Sequence, residues 1–189
     1  VHEANYYPGL RRIITDADSA ANAYVERTLT EAARFIAGAF DVDGFDLLEA
    51  SFSMVTTRPS DLTPAQRAPH FDTTSPKHYA VLHYLHGPAA SGTAFYRQRS
   101  TGVERVTEAN VARFVRVAQK EAAQLAPDSG YILGSNAYFE QIGTVTAAPN
   151  RLIIYPGSLL HSGIIPAGMP LSADPREGRL TANMFVRGH

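Results

Sequence analysis

The sequence predicts a mainly β domain with flanking helices, in which several short strands form a sandwich or barrel and helices pack on one side. Only two stretches carry a helical period, several others alternate or are short and apolar, and twelve prolines and fourteen glycines punctuate the segments between them. The 189 residues suit one domain, at roughly 150 residues per domain. No internal repeat, low-complexity block or Gly/Ser linker divides them. In residues 19–40 the apolar positions Val25, Leu29, Ala32, Ile36 and Phe40 step by three or four, which predicts a helix. A second stripe, Val111, Phe114, Val115, Ala118, Ala122 and Leu125, predicts a helix over 107–125 with Thr107 as its N-cap. Leu48, Ala50, Phe52 and Met54 alternate with Glu49, Ser51 and Ser53, the period of a strand with one buried face. Residues 78–86 (HYAVLHYLH) are apolar on both faces, as in an interior strand, and 93–98, 151–155 and 179–186 are further strand candidates.

Composition excludes several function classes. With 44% hydrophobic and 19% charged residues the chain is close to an average soluble protein. Seventeen basic residues against eighteen acidic ones give a net charge of −1, so no general attraction to nucleic acid or anionic membrane is expected. No apolar run approaches the roughly 18 residues of a membrane span, and the first residues, VHEANYYPGL, lack the pattern of a signal peptide. A soluble, cytoplasmic protein is the expectation. The absence of cysteine rules out disulfides, thiolate-ligated metals and thiol nucleophiles, so any metal must be held by His, Asp or Glu.

Such a set exists. In an extended segment His70 and Asp72 point to one face, where an imidazole and a carboxylate can share a metal ion. His161 follows the apolar run RLIIYPGSLL and supplies a third ligand. Two histidines and one carboxylate make the facial triad of non-haem Fe(II) oxygenases, which leaves positions open for substrate and O₂. A His-x-Asp pair alone is a weak signal, as is a lone histidine in a turn. Downstream, Arg179, Thr181 and Asn183 share one face of a half-buried strand. An arginine there is costly unless it meets an anion, and its fork suits a carboxylate. Tyr84, at the far end of the interior strand, is a further phenolic donor.

In these motifs the chain resembles the Fe(II)/2-oxoglutarate-dependent dioxygenases, in particular their prolyl-4-hydroxylase-like branch. HFDTTSPKHYAVLHYLHGPAASGTAFYR follows the order of that family's His-x-Asp, apolar strand ending in Tyr-Leu, Gly/Thr turn and aromatic strand. NRLIIYPGSLLHSG and GRLTANMF follow its distal His and Arg-x-Ser/Thr strand. The resemblance covers residues 45–187. It implies a double-stranded β-helix (jelly roll, cupin-like) with its core over 45–187 and helical support over 16–40 and 107–125. It further implies that His70, Asp72 and His161 ligate Fe(II), and that Arg179 and Thr181, assisted by Tyr84, hold the far carboxylate of 2-oxoglutarate. The implied activity is hydroxylation of an unactivated C–H of a small molecule, amino acid or peptide side chain, consuming O₂ and releasing succinate and CO₂.

Two departures qualify the match. The His161-to-Arg179 gap holds a Pro/Gly-rich insert that makes it longer than the family's usual spacing, and Arg176 within it rivals Arg179; the Thr two residues after Arg179 favours the latter. His86 stands where Asn is frequent, which bears on substrate choice. Asp72 retains the carboxylate, so the halogenating variant does not apply. His78, His83 and His86 cannot all share one strand face and are read as ordinary strand residues; Arg97 and Arg99 are read as a solvated face rather than an anion site. Substrate selectivity is expected from the loops at 58–69, 87–92 and 165–178. Two other readings stand beside the oxygenase: a cupin-like metal enzyme that does not use 2-oxoglutarate, and a metal-free jelly-roll binding module. A homodimer is the expected form if the chain is not a monomer.

Overall fold

A computed structural model describes residues 7–126 and 128–189, and most of its elements follow the periodicities above. Ten elements run in the order β1 (Gly9–Ile13), α1 (Ser19–Phe40), β2 (Phe45–Val55), β3 (His78–His86), β4 (Gly92–Gln98), α2 (Val111–Ala123), β5 (Phe139–Thr146), β6 (Arg151–Pro156), β7 (His161–Ile164) and β8 (Leu180–Gly188). Two single 3₁₀ turns, Pro59–Asp61 and Pro64–Arg67, lie between β2 and β3. The strands form two antiparallel sheets, ordered β1-β2-β8-β3-β6 and β5-β4-β7. The fold is therefore mainly β with two α-helices.

Alternation along the strands decides which side chains meet. On the outer face of the larger sheet, Ala50, Tyr79, Val81, Ala182, Met184 and Val186 pack under the α1 stripe Val25, Leu29, Ala32 and Ile36. The outer face of the smaller sheet meets α2, where Phe114 and Ala122 cluster with Ala94, Tyr96, Phe139 and Leu160. The intervening residues of each strand point toward the other sheet. There Tyr84 shares a 2.6 Å hydrogen bond with Thr93, and the Phe95 and Tyr155 rings meet edge to face at 5.2 Å. No helix of the described residues is long and apolar enough to cross a membrane.

Several boundaries differ from expectation. Helix α2 starts at Val111 with Asn110 as its N-cap residue; the Asn110 side chain makes no capping bond but accepts from the Thr107 amide at 2.9 Å, so Thr107 opens a turn ahead of the helix and is not the cap. Strand β8 begins at Leu180, leaving Arg179 one residue outside it. The sequence pattern did not mark β1, β5 or β7. The first is a mostly exposed edge carrying two arginines, the second alternates without a strong apolar face, and the third is four residues long. His83 is an ordinary strand residue, as read: on the α1 side it bonds Tyr24 Oη through Nδ1 (2.6 Å) and Asn150 Oδ1 through Nε2 (2.8 Å). Removing one member leaves a partly buried polar atom unsatisfied, at about 1–2 kcal/mol. Tyr24→Phe is thus expected to lower the urea midpoint while metal affinity stays at the wild-type value; a change in metal affinity would contradict the separation of this bridge from the inner face.

Candidate metal centre and anion pocket

His70 and His161 reach each other through the backbone. Each donates its amide to the other's carbonyl, at 2.9 and 2.8 Å, an isolated antiparallel bridge that extends the β7 edge. Directly opposed residues project to the same side, and the two imidazole centroids are 4.3 Å apart. Asp72 is fixed by a different contact, its amide donating to Gly157 O at 2.7 Å in the turn after β6. Glycine gives room there: a Cβ on Gly157 would come within 3.3 Å of Asp72 Cβ and 3.2 Å of His78 Cδ2, close enough that these side chains would have to shift. Asp72 Oδ1 consequently lies 3.8 Å from His161 Nε2 and 4.0 Å from His70 Nε2. One ligand atom from each of the three residues falls within 4.8 Å of the others.

This group fits a metal ion by its chemistry as well as its spacing. His161 Nδ1 is 2.8 Å from Leu159 O, a contact that requires the proton on Nδ1 and leaves the Nε2 lone pair facing Asp72. Although 39% of the His70 side chain is exposed at the opening, burial of the ring holds its pKa well below the usual histidine value, with His161 and Arg11 adding to the effect. A neutral imidazole is the ligating form. Cis ligands at about 2.1 Å from an ion lie about 3 Å apart, so metal binding would draw the three side chains together by roughly 1 Å.

The second half of the candidate site is a buried arginine. Arg179 is 4% exposed, its Nη2 donates to Gly92 O at 3.1 Å, and its guanidinium carbon lies 5.5 Å from the centre of the Tyr84 ring. Among the described residues no carboxylate pairs with it, and its Nε is buried without a hydrogen-bond partner. Gly87, at φ +140°, makes room for it, since a Cβ there would stand 3.2–3.3 Å from Arg179 atoms. Arg176 by contrast is exposed in the loop before β8. Ser53, Thr181 and Tyr84 are directly opposed on β2, β8 and β3, and Asn183 Nδ2 donates to Thr181 Oγ1 at 3.3 Å. Strand β4 measures the distance between the two halves. Arg179 contacts Gly92 and His161 pairs with Phe95, three residues on, or about 10 Å.

The structure thus brings together His70, Asp72 and His161 at one end and Arg179, Thr181 and Tyr84 at the other. It adds residues that the sequence reading missed. Ser51 and Ser53, read only as the polar face of their strand, are fully buried and face this space. Arg11 on β1 donates through Nε to Ser51 Oγ at 3.0 Å and lies 5.5 Å from the Phe185 ring, with Glu49 4.0 Å away. Tyr155 packs edge-on against His161 at 4.8 Å, and burial, reinforced by Asp72, pushes its hydroxyl pKa well above the usual tyrosine value. The only available signal was strand alternation, which marks a face but not whether that face is wet. Arg97 ion-pairs with Glu104 and Glu140, and Arg99 donates to Asn136 O, so both are engaged away from the site. His78 and His86 are not among the three metal-ligating candidates.

Because Gly157 leaves room for Asp72, Gly157→Ala is expected to weaken divalent-metal binding about tenfold, in the range of altered supports behind metal ligands, while the cooperative thermal transition persists. Unchanged metal affinity in calorimetry would show that the Asp72 position does not matter to the ion.

Comparison with known proteins adds a family and nothing finer. No curated protein and no solved structure matches the chain. A match over residues 1–186 places it in a family whose description carries no activity: the chain belongs to the "Family of unknown function (DUF6445)".

Proposed function

We propose that the protein is an Fe(II)- and 2-oxoglutarate-dependent oxygenase that hydroxylates an unactivated C–H bond of a small molecule, amino acid or peptide side chain. One observation carries this reading: a buried guanidinium without a carboxylate partner lies about 10 Å along β4 from a two-histidine, one-carboxylate group. The three ligands alone would suit a cupin-like enzyme equally well. Arg179 separates the two, because a buried positive charge requires an anion and a dicarboxylate can meet both ends. The strand order supports the same reading. Along the chain β2 and β3 fall in the larger sheet, β4 and β5 in the smaller, and β6, β7 and β8 alternate between them, with His70 adding a bridge beside β7. That alternation is the pattern of a jelly roll, and it supports the double-stranded β-helix.

When bound, iron and 2-oxoglutarate supply the oxidation: O₂ places one oxygen atom in succinate, formed with loss of CO₂, and the other in the substrate hydroxyl. The residues of this chain do the positioning. His161 presents Nε2 because Leu159 O holds its other nitrogen, and Asp72 is aimed by the Gly157 backbone. Arg179 meets the far carboxylate at low local dielectric, where a charge-assisted fork is strong. Thr181 adds a hydroxyl, and Tyr84 braces the guanidinium with its ring face. Phe95, Tyr155 and Phe185 supply aromatic surface around the reacting end that restricts water.

The test is anaerobic titration of the metal-free protein with Fe(II) and then 2-oxoglutarate, followed by absorption spectroscopy. A metal-to-ligand charge-transfer band is expected only after both additions. Arg179→Ala should weaken 2-oxoglutarate binding at least about tenfold, the loss of a charge-assisted pair, and His161→Ala should remove the band. Fe(II) binding without response to 2-oxoglutarate would favour the cupin-like enzyme, and absence of metal binding the metal-free module.

A further inference from the structure

The pocket around Arg179 contains more unused hydrogen-bonding capacity than the resemblance to dioxygenases assigns. Three of its polar atoms, Tyr7 Oη, Ser53 Oγ and Arg179 Nε, are buried and have no hydrogen-bond partner among the described residues. Buried polar groups are nearly always satisfied, so each orphan calls for a missing partner. The three converge. The Tyr7 hydroxyl feels the charge of Arg179 and lies beside the hydroxyls of Ser53 and Thr181, yet makes no well-formed hydrogen bond to either. Ser53 stands directly opposite Thr181 across the β2–β8 pair. A guanidinium N–H and hydroxyls around one point can all donate at once only to a group that accepts several bonds. A carboxylate, with about four acceptor sites, is such a group.

Tyr84, which the resemblance gives the role of phenolic donor, is differently placed. Its hydroxyl, although close to Arg179, already shares a 2.6 Å hydrogen bond with Thr93 Oγ1, and its ring lies against the guanidinium. Tyr7, by contrast, comes from the segment just ahead of β1. Backbone contacts fix it there: the Gly9 amide donates to Tyr7 O at 3.0 Å, and the Thr56 amide donates to the neighbouring Pro8 O at 3.2 Å. Its ring packs beside Val55, Leu62, Tyr131, Ile165 and Met169. The hydroxyl is therefore held buried beside Ser53 and Thr181, with no well-formed hydrogen bond among the described residues.

Resting on the oxygenase reading, we propose that Tyr7, together with Ser53, is the hydroxyl donor that completes the cradle for the far carboxylate of 2-oxoglutarate, and that Tyr84 instead positions Arg179. Tyr7, two residues ahead of β1, then belongs to the cosubstrate site, and the larger sheet needs its fifth strand to deliver it.

The experiment compares Tyr7→Phe, Ser53→Ala and Tyr84→Phe with the wild type. 2-Oxoglutarate is titrated into Zn(II)-loaded protein by calorimetry, with Zn(II) affinity and the thermal transition recorded for each variant. Tyr7→Phe is expected to weaken 2-oxoglutarate about tenfold, the effect of one hydrogen bond to a charged group. Ser53→Ala should act in the same direction, and Zn(II) affinity should stay within twofold of wild type for both. Tyr84→Phe should cost less than Tyr7→Phe. If the wild type binds 2-oxoglutarate and both Tyr7→Phe and Ser53→Ala bind it within twofold of wild type, or if Tyr84→Phe costs more than Tyr7→Phe, the assignment of Tyr7 is overturned while the oxygenase reading stands. If the metal-loaded wild type binds no 2-oxoglutarate, both fall.

Discussion

The burial of the Arg179 guanidinium organises much of the inner face. A charge taken out of water costs several kcal/mol unless something answers it, and among the described residues the chain provides a carbonyl, a ring face and hydroxyls but no carboxylate. The surrounding architecture keeps the charge in place. Gly87 adopts a backbone conformation with φ +140° and leaves space against it, Gly92 offers its carbonyl from the opposed sheet, and Tyr84 lies against it from the neighbouring strand β3. Such an arrangement makes sense as half of a binding site whose other half arrives with the ligand.

The metal end shows the same economy with different means. Two histidines are brought face to face by a single two-residue bridge, and the carboxylate is hung from the carbonyl of one glycine. None of the three ligands sits deep within a long strand. All are at strand ends or in connections, where small adjustments toward an ion are cheap, while the strands behind them are pinned by the α1 and α2 cores. The rigid part thus sets the separation between the two ends of the candidate site, and the adjustable part would set the coordination of an ion bound there.

Much of this was legible in the sequence, for identifiable reasons. The α1 stripe has a strong period and the interior strand over 78–86 is a continuous apolar run, and both elements have the expected bounds. His70, Asp72 and His161 could be grouped because a metal restricts residue types severely in a chain without cysteine. Arg179 stood out because an arginine on an apolar strand needs a reason. The residues that escaped notice lack such restrictions. Ser51 and Ser53 alternate like any polar strand face, and only the opposing sheet makes that face dry. Tyr7 lies far from the motifs in the chain and joins them through β1, whose exposed, arginine-bearing pattern carries little strand signal. Thr107 resembled an N-cap by type and position, yet it opens a turn ahead of the helix, whose N-cap Asn110 makes no side-chain capping bond. Local chemistry was readable where the residue type was scarce; long-range convergence of common residues was not.

The central claim is that the two ends act on one ligand, and the coupling between them is the quantity that tests it. Calorimetric affinities for 2-oxoglutarate and for succinate, each measured with and without Zn(II), isolate that coupling. Both ligands offer a carboxylate to Arg179, but only the 2-oxo acid carries the keto-carboxylate pair that chelates a metal. The account predicts that metal tightens 2-oxoglutarate binding at least about tenfold, with a much smaller effect on succinate. Equal affinities for 2-oxoglutarate with and without metal would contradict it, since the ligand would then be meeting one end of the pocket only.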